Sequence, residues 1–281
     1  MVLAIPLAVT LGGLPYYLLA TGARMRHPLH ALLKPSGPVG QAMGLAALAM
    51  FLFLWLYPLR KQVRWLAWTG SVGGWMRVHT VAGLAIPLFV AVHAGWRFEG
   101  LIGLGFWAML VVSLSGTVGR YLYAHIPRRR DGAELTRDEA AEQRRTLLKR
   151  IALTTGRDPA AIERALMAAA TPRSASMRGP LGILQRMVLD DLARARSMRA
   201  LRRAWEKPEP GRRPLDRVAL AEALRLARRE IRLDQQVRML DAARRVFGYW
   251  HVGHRPVALT ALLAVLVHVA VAIATGMTWF W

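Results

Sequence analysis

Four histidines are placed by one spacing that occurs twice in the chain. Residues 75–93 read WMRVHTVAGLAIPLFVAVH and residues 250–268 read WHVGHRPVALTALLAVLVH, so each stretch has Trp, three residues, His, thirteen residues and His. In an α-helix a step of fourteen residues leaves a net rotation of about −40° and a rise of about 21 Å, so both histidines share one face at two depths. Two parallel helices of this kind would pair His79 with His254 and His93 with His268.

Two facing imidazoles at one level suit a six-coordinate haem iron, and the repeat provides two such levels. Ionisable side chains inside apolar helices are costly and are functional candidates. A transition-metal site, a proton relay and structural histidines are the alternatives. Zinc and copper sites usually cluster three or four ligands, often with thiols, and the chain has no cysteine. The pattern therefore favours two haem b groups with His79, His254, His93 and His268 as the iron ligands.

His251 competes with His254 because it lies one helical turn earlier. Seventeen residues separate His251 from His268, a rotation of about −100°, so the two would point to different faces. The Trp-to-His spacing of the repeat also selects His254, and Pro256 suits the first turn of the helix that carries it. We interpret His251 as an interfacial residue or a neighbour of the ligand. Three further histidines have no partner at a matching offset and stay unassigned: His27, His30 and His125.

Composition indicates the elements that must hold these ligands. Hydrophobic residues make up 54% of the 281 positions and there are ten Trp, which is typical of a membrane protein. A helix needs roughly 20 apolar residues to cross about 30 Å of hydrocarbon. Five uncharged windows meet this length: residues 1–23, 39–59, 78–96, 101–119 and 256–281. The first resembles a signal peptide in length, but it lacks a basic start and favours a retained span.

A basic insert separates the fourth window from the fifth. Between positions 128 and 245 lie 29 of the 39 basic and 16 of the 17 acidic residues, a formal charge of +13. We therefore predict an all-α integral membrane protein with four spans in residues 1–127, a helical insert in 128–248 and a fifth span in 249–281. Helical periodicity marks four stretches of the insert: Ala140–Thr155, with Pro159–Ala170 after an Asp158 cap, then Leu181–Trp205 and Leu215–Phe247. Breaks are expected at 171–173, 178–180, 206–214 and 248–253.

Charge placement predicts the orientation. Arg60, Lys61, Arg64 and Arg77 lie between the second and third windows, and Arg128–Arg130 follow the fourth, whereas the connection between the third and fourth carries only Arg97 and Glu99. The positive-inside rule then places the insert in the cytoplasm of a bacterial-type inner membrane and the C-terminus, with Trp279 and Trp281, at the outer interface. Three basic residues oppose this assignment on the outer side: Arg24, Arg26 and Lys34.

Other residues near the repeat fit the same interpretation. Arg77, Arg120 and Arg255 are expected at the inner level and Arg97 at the outer one, where they would pair with haem propionates or act only as topology determinants. Pro87 should kink the third span between its ligands. Four glycines leave room either for a porphyrin or for close helix packing: Gly83, Gly95, Gly116 and Gly119.

The two histidine stretches resemble the paired haem helices of the ferric reductase-like transmembrane domain superfamily, and di-haem cytochromes b show a similar four-histidine scheme. The resemblance implies a helical bundle with two stacked b-type haems that carry electrons across the bilayer. It covers only the membrane spans. The sequence has neither a flavin and NADPH domain after the last window nor a strand followed by G-x-G-x-x-G, and its insert is a further departure. We expect an electron-transfer subunit of an oxidoreductase that does not itself use NAD(P)H.

The partners follow from charge and from the missing donor site. We expect a redox partner protein or the quinone pool, and membership of a multi-subunit complex. The basic insert favours an anionic lipid surface or an acidic partner over nucleic acid. The alternatives are a quinol-linked membrane anchor of a larger oxidoreductase, a histidine-based metal transporter, and a membrane scaffold that binds lipid or nucleic acid.

Overall fold

The computed structural model describes residues 2–127, 134–170, 179–207 and 215–278, and these residues form helices and turns with no strand. They divide into two compact units. One comprises Met1–Tyr121 with Trp250–Trp281, and the other Leu122–Tyr249. The first carries the histidine repeat and the second carries most of the charge, so each is described by itself.

The N-terminal window is not one helix. It contains α1 (Ala4–Gly12), α2 (Leu14–Tyr17) and α3 (Thr21–Arg24), and α4 (His30–Leu33) follows. Two adjacent glycines and a proline, in the stretch GGLP at 12–15, interrupt the helix after α1, since glycine disfavours helix and proline lacks the N–H that a continuing helix needs. Ala20 is extended and separates α2 from α3. The described residues of the 1–23 window therefore do not form one continuous helix, and the first span stays a prediction.

Four longer helices belong wholly or partly to the first unit: α5 (Pro38–Gln62), α6 (Val72–His93), α7 (Gly100–Ala124) and α12 (Leu240–Ala274). A 3₁₀ turn at Arg64–Thr69 connects α5 to α6. Pro38 occupies the first turn of α5, where its missing N–H costs nothing. The Ser71 hydroxyl accepts from the Gly74 N–H at 3.1 Å and caps α6. Gly95, at φ 60°, ends the segment in the left-handed conformation.

Within the described ranges, three helical segments are long and apolar enough to cross a membrane: His30–Gln62, Val72–His93 and Leu240–Ala274. Their buried side chains and Met109 of α7 meet in one core, which consists of Met43, Ala47, Phe51, Ala85, Ile86, Phe89, Val92, Met109 and Ala261. Large apolar residues also cover the outward faces, among them Leu45 and Leu52 of α5 and Leu259 and Leu263 of α12. A continuous exposed apolar face matches a lipid environment.

The last helix differs from the sequence expectation in two respects. Pro256 lies in the middle of α12, which begins at Leu240, and so it is not in a first turn. The helix runs without a break through 248–253, and the interruption comes earlier, at Met239, after α11. Gly248 and Gly253 are therefore tolerated inside the helix. Glycine lowers helix stability by only about 1 kcal/mol, which length and packing override.

The second unit contains α8 (Arg137–Thr155), α9 (Pro159–Ala170), α10 (Gly179–Glu206) and α11 (Arg217–Arg238). The Asp158 cap is confirmed, because its carboxylate accepts from the Ala161 N–H at 3.1 Å. A capping box of Thr136 and Glu139 starts α8 three residues before the predicted position. Several predicted features lie outside the described residues: the breaks at 171–173 and 208–214, the arginines at 128–130, and Trp279 and Trp281.

An ion-pair network crosses the apolar core of the second unit. Glu230 and Asp234 are buried on α11, and Arg144 of α8 binds both, at 2.7 Å and 2.8 Å. Burial raises the pKa of Glu230, although Arg144 opposes the shift by hydrogen bonding and by its charge. Arg238 is a further partner of Asp234. Charged side chains thus connect α8 and α11 within the apolar core of this unit.

Candidate functional site

The structure brings the four repeated histidines together in the predicted pairs. His93 and His268 are neighbours, with ring centres 6.0 Å apart and ring planes at 78°. His79 and His254 line one cavity. Since each pair joins corresponding positions of the repeat, α6 and α12 run parallel in this unit. The fourteen-residue spacing therefore places two histidine pairs at two levels of the same helix pair.

His93 is held by α5 in a defined tautomer. Its Nδ1 lies 2.8 Å from the Gly40 carbonyl oxygen. A carbonyl only accepts, so Nδ1 carries the hydrogen and the lone pair lies on Nε2. A Cβ on Gly44 would stand 2.6 Å from this same Nδ1, so glycine is required there for the ring to approach α5. His93 thus has a fixed ring and a free Nε2, the arrangement usual for a metal-binding histidine.

His93 and His268 are the residues that would hold a metal ion at the outer level. Their ring centres lie 6.0 Å apart in an edge-to-face arrangement, a spacing that ordinary aromatic contacts also show. His268 is exposed, so its ring is accessible from outside the core.

The inner pair faces a cavity of about 60 Å³ between α5, α6, α7 and α12. Its lining is mostly apolar and includes Phe51, Met76, Gly83, Ile86, Met109, Val112, Gly116 and Trp250. His79 enters it beside Tyr57, with ring centres 5.1 Å apart, and its Nδ1 is buried without a hydrogen-bond partner. A buried unpaired polar atom costs about 1–3 kcal/mol, so a partner at Nδ1 would stabilise His79, whose ring also interacts with the Leu54 backbone.

His254 is the member of the pair that neighbouring side chains hold. Its Nδ1 lies 2.7 Å from the Ser115 hydroxyl of α7. Trp250 stacks on its ring, with centres 4.5 Å apart and planes at 26°. His251 contacts Trp250 edge-on instead. The structure thus places His254 at the cavity and His251 beside Trp250, and the assignment of His254 as a ligand stays a prediction.

The glycines near the cavity have different roles. A Cβ on Gly116 would meet nothing within 4 Å, and one on Gly83 would touch only Leu54 at 3.9 Å, so both face open space. A Cβ on Gly119 would clash with Trp250 at 2.2 Å, so this glycine admits the tryptophan. Small-molecule pockets usually measure at least about 300 Å³. A porphyrin between His79 and His254 therefore requires the surrounding helices to move apart.

The four arginines proposed for propionates have different environments. Arg77, Arg120 and Arg255 are all exposed, and of these three Arg120 also lines the inner cavity. Arg97 follows α6 at the outer level. It lies 3.9 Å from Glu99 and has a buried Nε without a hydrogen-bond partner. Arg97 and Arg120 are thus the two whose surroundings suit an anionic group.

The unassigned histidines have structural partners. His30 is hydrogen bonded to the Tyr16 hydroxyl at 3.1 Å. His27 accepts from the Leu29 N–H at 3.2 Å. In the second unit, His125 is paired with Asp191 at 3.2 Å. None of these contacts directs a ring towards the repeat, in keeping with their lack of a matching offset.

Sequence reasoning missed the residues that orient the ligands. Gly40 and Gly44 of α5 and Ser115 of α7 lie far from the repeat in sequence, and their types are ordinary in apolar helices. Arg24, one of the three basic residues that oppose the predicted orientation, has a structural role. It is buried and donates to the backbone carbonyls of Gly95, at 2.7 Å, and of Tyr17. Its charge is therefore used within the protein, at the end of α6.

No group of three or more His, Asp or Glu that could hold a metal ion occurs in the described part of the chain. The site therefore consists of histidine pairs. No protein-family model, curated protein or solved structure matches this chain.

Proposed function

We propose that this chain is a di-haem b-type membrane cytochrome that passes single electrons between the two faces of a membrane. The observation that carries the proposal is the hydrogen bonding of the paired histidines. Nδ1 of His93 and Nδ1 of His254 are both hydrogen bonded to other helices, which leaves Nε2 of each ring for iron. Their partners His268 and His79 stand on the parallel helix at the same levels.

When bound at these levels, haem iron supplies a one-electron ferric/ferrous couple. The protein residues supply its position. The histidine spacing sets the two levels about 21 Å apart along the helices, so one pair lies towards each face of the membrane. The core between the two levels is apolar. Electrons are therefore proposed to cross it. Arg97 and Arg120 would compensate the carboxylates of the cofactors.

The proposed topology has five spans, with the insert in the cytoplasm. Besides the three apolar segments, α7 has 25 residues, a length of about 38 Å, which suffices to cross the hydrocarbon. Basic residues mark one end of the bundle, as at Arg60 and Lys61 on α5. In this topology the first crossing consists of the short helices α1 to α3. The other four crossings are the long helices α5, α6, α7 and α12.

The donor side is proposed to be the insert. Its charge of +13 attracts an acidic redox protein as well as an anionic leaflet. A quinol-linked role as the membrane subunit of a larger oxidoreductase is the second candidate, and it differs in using quinol in place of a soluble donor. We propose that the protein works in a bacterial-type inner membrane as part of a multi-subunit complex.

Proteoliposomes test the proposed function. The purified protein is inserted into vesicles that contain ferricyanide, and a membrane-impermeant reductant is added outside. We expect reduction of the enclosed ferricyanide with the wild type, and the background rate with His93→Ala and His254→Ala. Equal rates with wild type and empty vesicles contradict the proposal. Reduction by quinol alone, with a soluble reductant inactive, favours the quinol-linked role.

A further inference from the structure

We infer that Ser115 is a positioning residue for the inner histidine pair and that its hydroxyl sets which nitrogen of His254 faces the cofactor. This inference rests on the proposed haem function and goes beyond it. It assigns a role to α7, a helix that contributes no histidine. The Ser115 side chain lies 2.7 Å from His254 Nδ1 across a contact that joins α7 to α12.

The hydroxyl of Ser115 has two hydrogen-bonding neighbours and one hydrogen to share. Its Oγ lies 2.8 Å from the Val112 carbonyl oxygen, which can only accept. We assign the hydrogen to that carbonyl, so that Oγ accepts from His254. In this assignment Nδ1 of His254 is the protonated nitrogen and Nε2 keeps its lone pair.

Ser115 also controls the ring's stacking partner. The Trp250 indole N–H donates to the Ser115 carbonyl oxygen at 2.8 Å. The same indole stacks on the His254 ring and occupies the space that Gly119 leaves open. One residue thus holds the ring by its hydroxyl and the stacking tryptophan by its backbone. The equivalent Trp75 has no such role, because its indole stacks on Phe53.

The hydroxyl should affect the cofactor's redox properties in a defined direction. A hydrogen-bond acceptor at Nδ1 increases the basicity of the imidazole at Nε2, and a more basic ligand stabilises ferric over ferrous iron. Loss of the acceptor therefore raises the midpoint potential of the inner haem. A tenfold change in the ferric-to-ferrous preference corresponds to 59 mV for a one-electron couple. Loss of outer-shell partners typically lowers metal affinity by 10–100-fold.

Redox titration of purified, haem-loaded protein tests the inference. Ser115→Ala is compared with the wild type and with Thr117→Ala, an exposed α7 hydroxyl that donates to Leu114 in its own helix. We expect Ser115→Ala to raise the potential of one haem and to change its low-spin electron paramagnetic resonance signal. The other haem, held by His93 and His268, should not change and serves as an internal reference. Ser115→Thr, which keeps the hydroxyl, should restore the wild-type values.

Two outcomes overturn the inference. One is an unchanged potential and signal for both haems in Ser115→Ala. The other is an equal shift in Thr117→Ala, which would indicate a general effect on α7. If Ser115→Ala is recovered only without its inner haem, Ser115→Thr decides: rescue supports the role of the hydroxyl, and failure to rescue rejects it. A wild-type protein that takes up no haem contradicts the proposed function itself, a result distinct from these.

Discussion

At the scale of single residues, hydrogen bonds to backbone and hydroxyl oxygens determine what the histidines can do. A histidine with Nδ1 bound to a carbonyl or to an accepting hydroxyl presents a lone pair at Nε2 in one direction. His93 and His254 have this arrangement. Their partners have other contacts: His79 lies against Tyr57, and His268 lies edge-to-face against His93.

The close approach of His93 to α5 gives the first prediction. Gly44→Ala places a methyl group about where His93 Nδ1 lies, since the added Cβ would be 2.6 Å from that atom. The ring must turn away, so we expect loss of the outer haem and retention of the inner one, measured by haem content and redox titration. Gly73→Ala is the matched control. Its Cβ meets nothing within 4 Å, and haem content should stay at the wild-type value.

A second prediction separates the two adjacent candidates on α12. His254→Ala should remove the inner haem because the ring at the cavity is lost. His251→Ala should keep both haems, since the His251 ring lies edge-on to Trp250 beside the cavity. Absorption spectra of the two purified variants provide the measurement. Loss of a haem from His251→Ala together with its retention in His254→Ala would show that the repeat was paired in the wrong register.

At this scale the sequence predicted which histidines lie together but not the residues that hold their rings. The repeat of fourteen residues is a helical pattern and can be detected without coordinates. Ser115, Gly40 and Gly44 become relevant only through contacts over long sequence separations, since His93 and Gly40 are 53 positions apart and Ser115 and His254 are 139 apart. Serine and glycine are also common in apolar helices for packing reasons.

At the scale of elements, the two units obey opposite rules of burial. In the first, large apolar side chains such as Leu259 and Leu263 are exposed, as expected for helices in lipid. In the second, apolar residues such as Ile151 and Ile231 form the interior, as in a water-soluble bundle. The ion pairs of Arg144 with Glu230 and Asp234 are the exception within that interior.

The Arg144 network gives a third prediction. Arg144→Met leaves two carboxylates of α11 without this partner, and breaking such a buried pair costs about 3–5 kcal/mol. We expect faster hydrogen exchange in α8 and α11, measured by mass spectrometry on the full-length protein. Arg145→Met is the matched control. That side chain is 73% exposed and pairs only with Glu142 at 3.5 Å, so the expected loss is below about 1 kcal/mol.

The pH dependence of this variant has a definite sign. Burial raises the pKa of Glu230 in the folded state above the ordinary value for a glutamate, so folding takes up protons and stability falls as pH rises between the two pKa values. Arg144 opposes the rise in the pKa of Glu230. Without Arg144 that pKa rises further, so the pH range over which stability falls extends upwards. The excess exchange of Arg144→Met should therefore be smaller near pH 5 than near pH 8. A pH-independent difference would mean that the lost charge interaction is not its cause.

Element boundaries were predicted where local signals decide them. Pro159–Ala170 was found at its predicted limits, since Asp158 and Pro159 form an unambiguous start. Pro256 suggested a helix start, and Gly248 and Gly253 suggested a break. Both predictions were wrong, because all three residues lie inside α12. A helix of 35 residues accepts these residues because neighbouring turns and packing compensate for the local loss.

At the scale of the whole molecule, the topology gives a fourth prediction. The chain has no cysteine, so single cysteines report their side without background. Val218→Cys lies in the insert and Met277→Cys follows α12, at positions 79% and 60% exposed. In intact spheroplasts a membrane-impermeant maleimide should label Met277→Cys and spare Val218→Cys until the membrane is permeabilised. The reverse labelling would invert the proposed orientation.

The general architecture could be predicted because composition and charge vary strongly along the chain. Apolar windows without charges, with a basic segment between 128 and 245, indicate helical membrane segments and a polar insert before any residue is placed. The break within the first window could not be predicted, because hydropathy does not register the effect of GGLP on helix continuity. The burial of Arg24 could not be predicted either, because it depends on a backbone carbonyl at the end of α6.

The most direct test of the central claim is the haem content of the purified wild-type protein, expressed with an adequate haem supply. A pyridine haemochrome assay should give about two haem b per chain, with a reduced spectrum typical of six-coordinate low-spin iron. Single alanine variants of His79, His93, His254 and His268 should each lose one. A colourless wild-type protein, or full haem content in all four variants, would contradict the account.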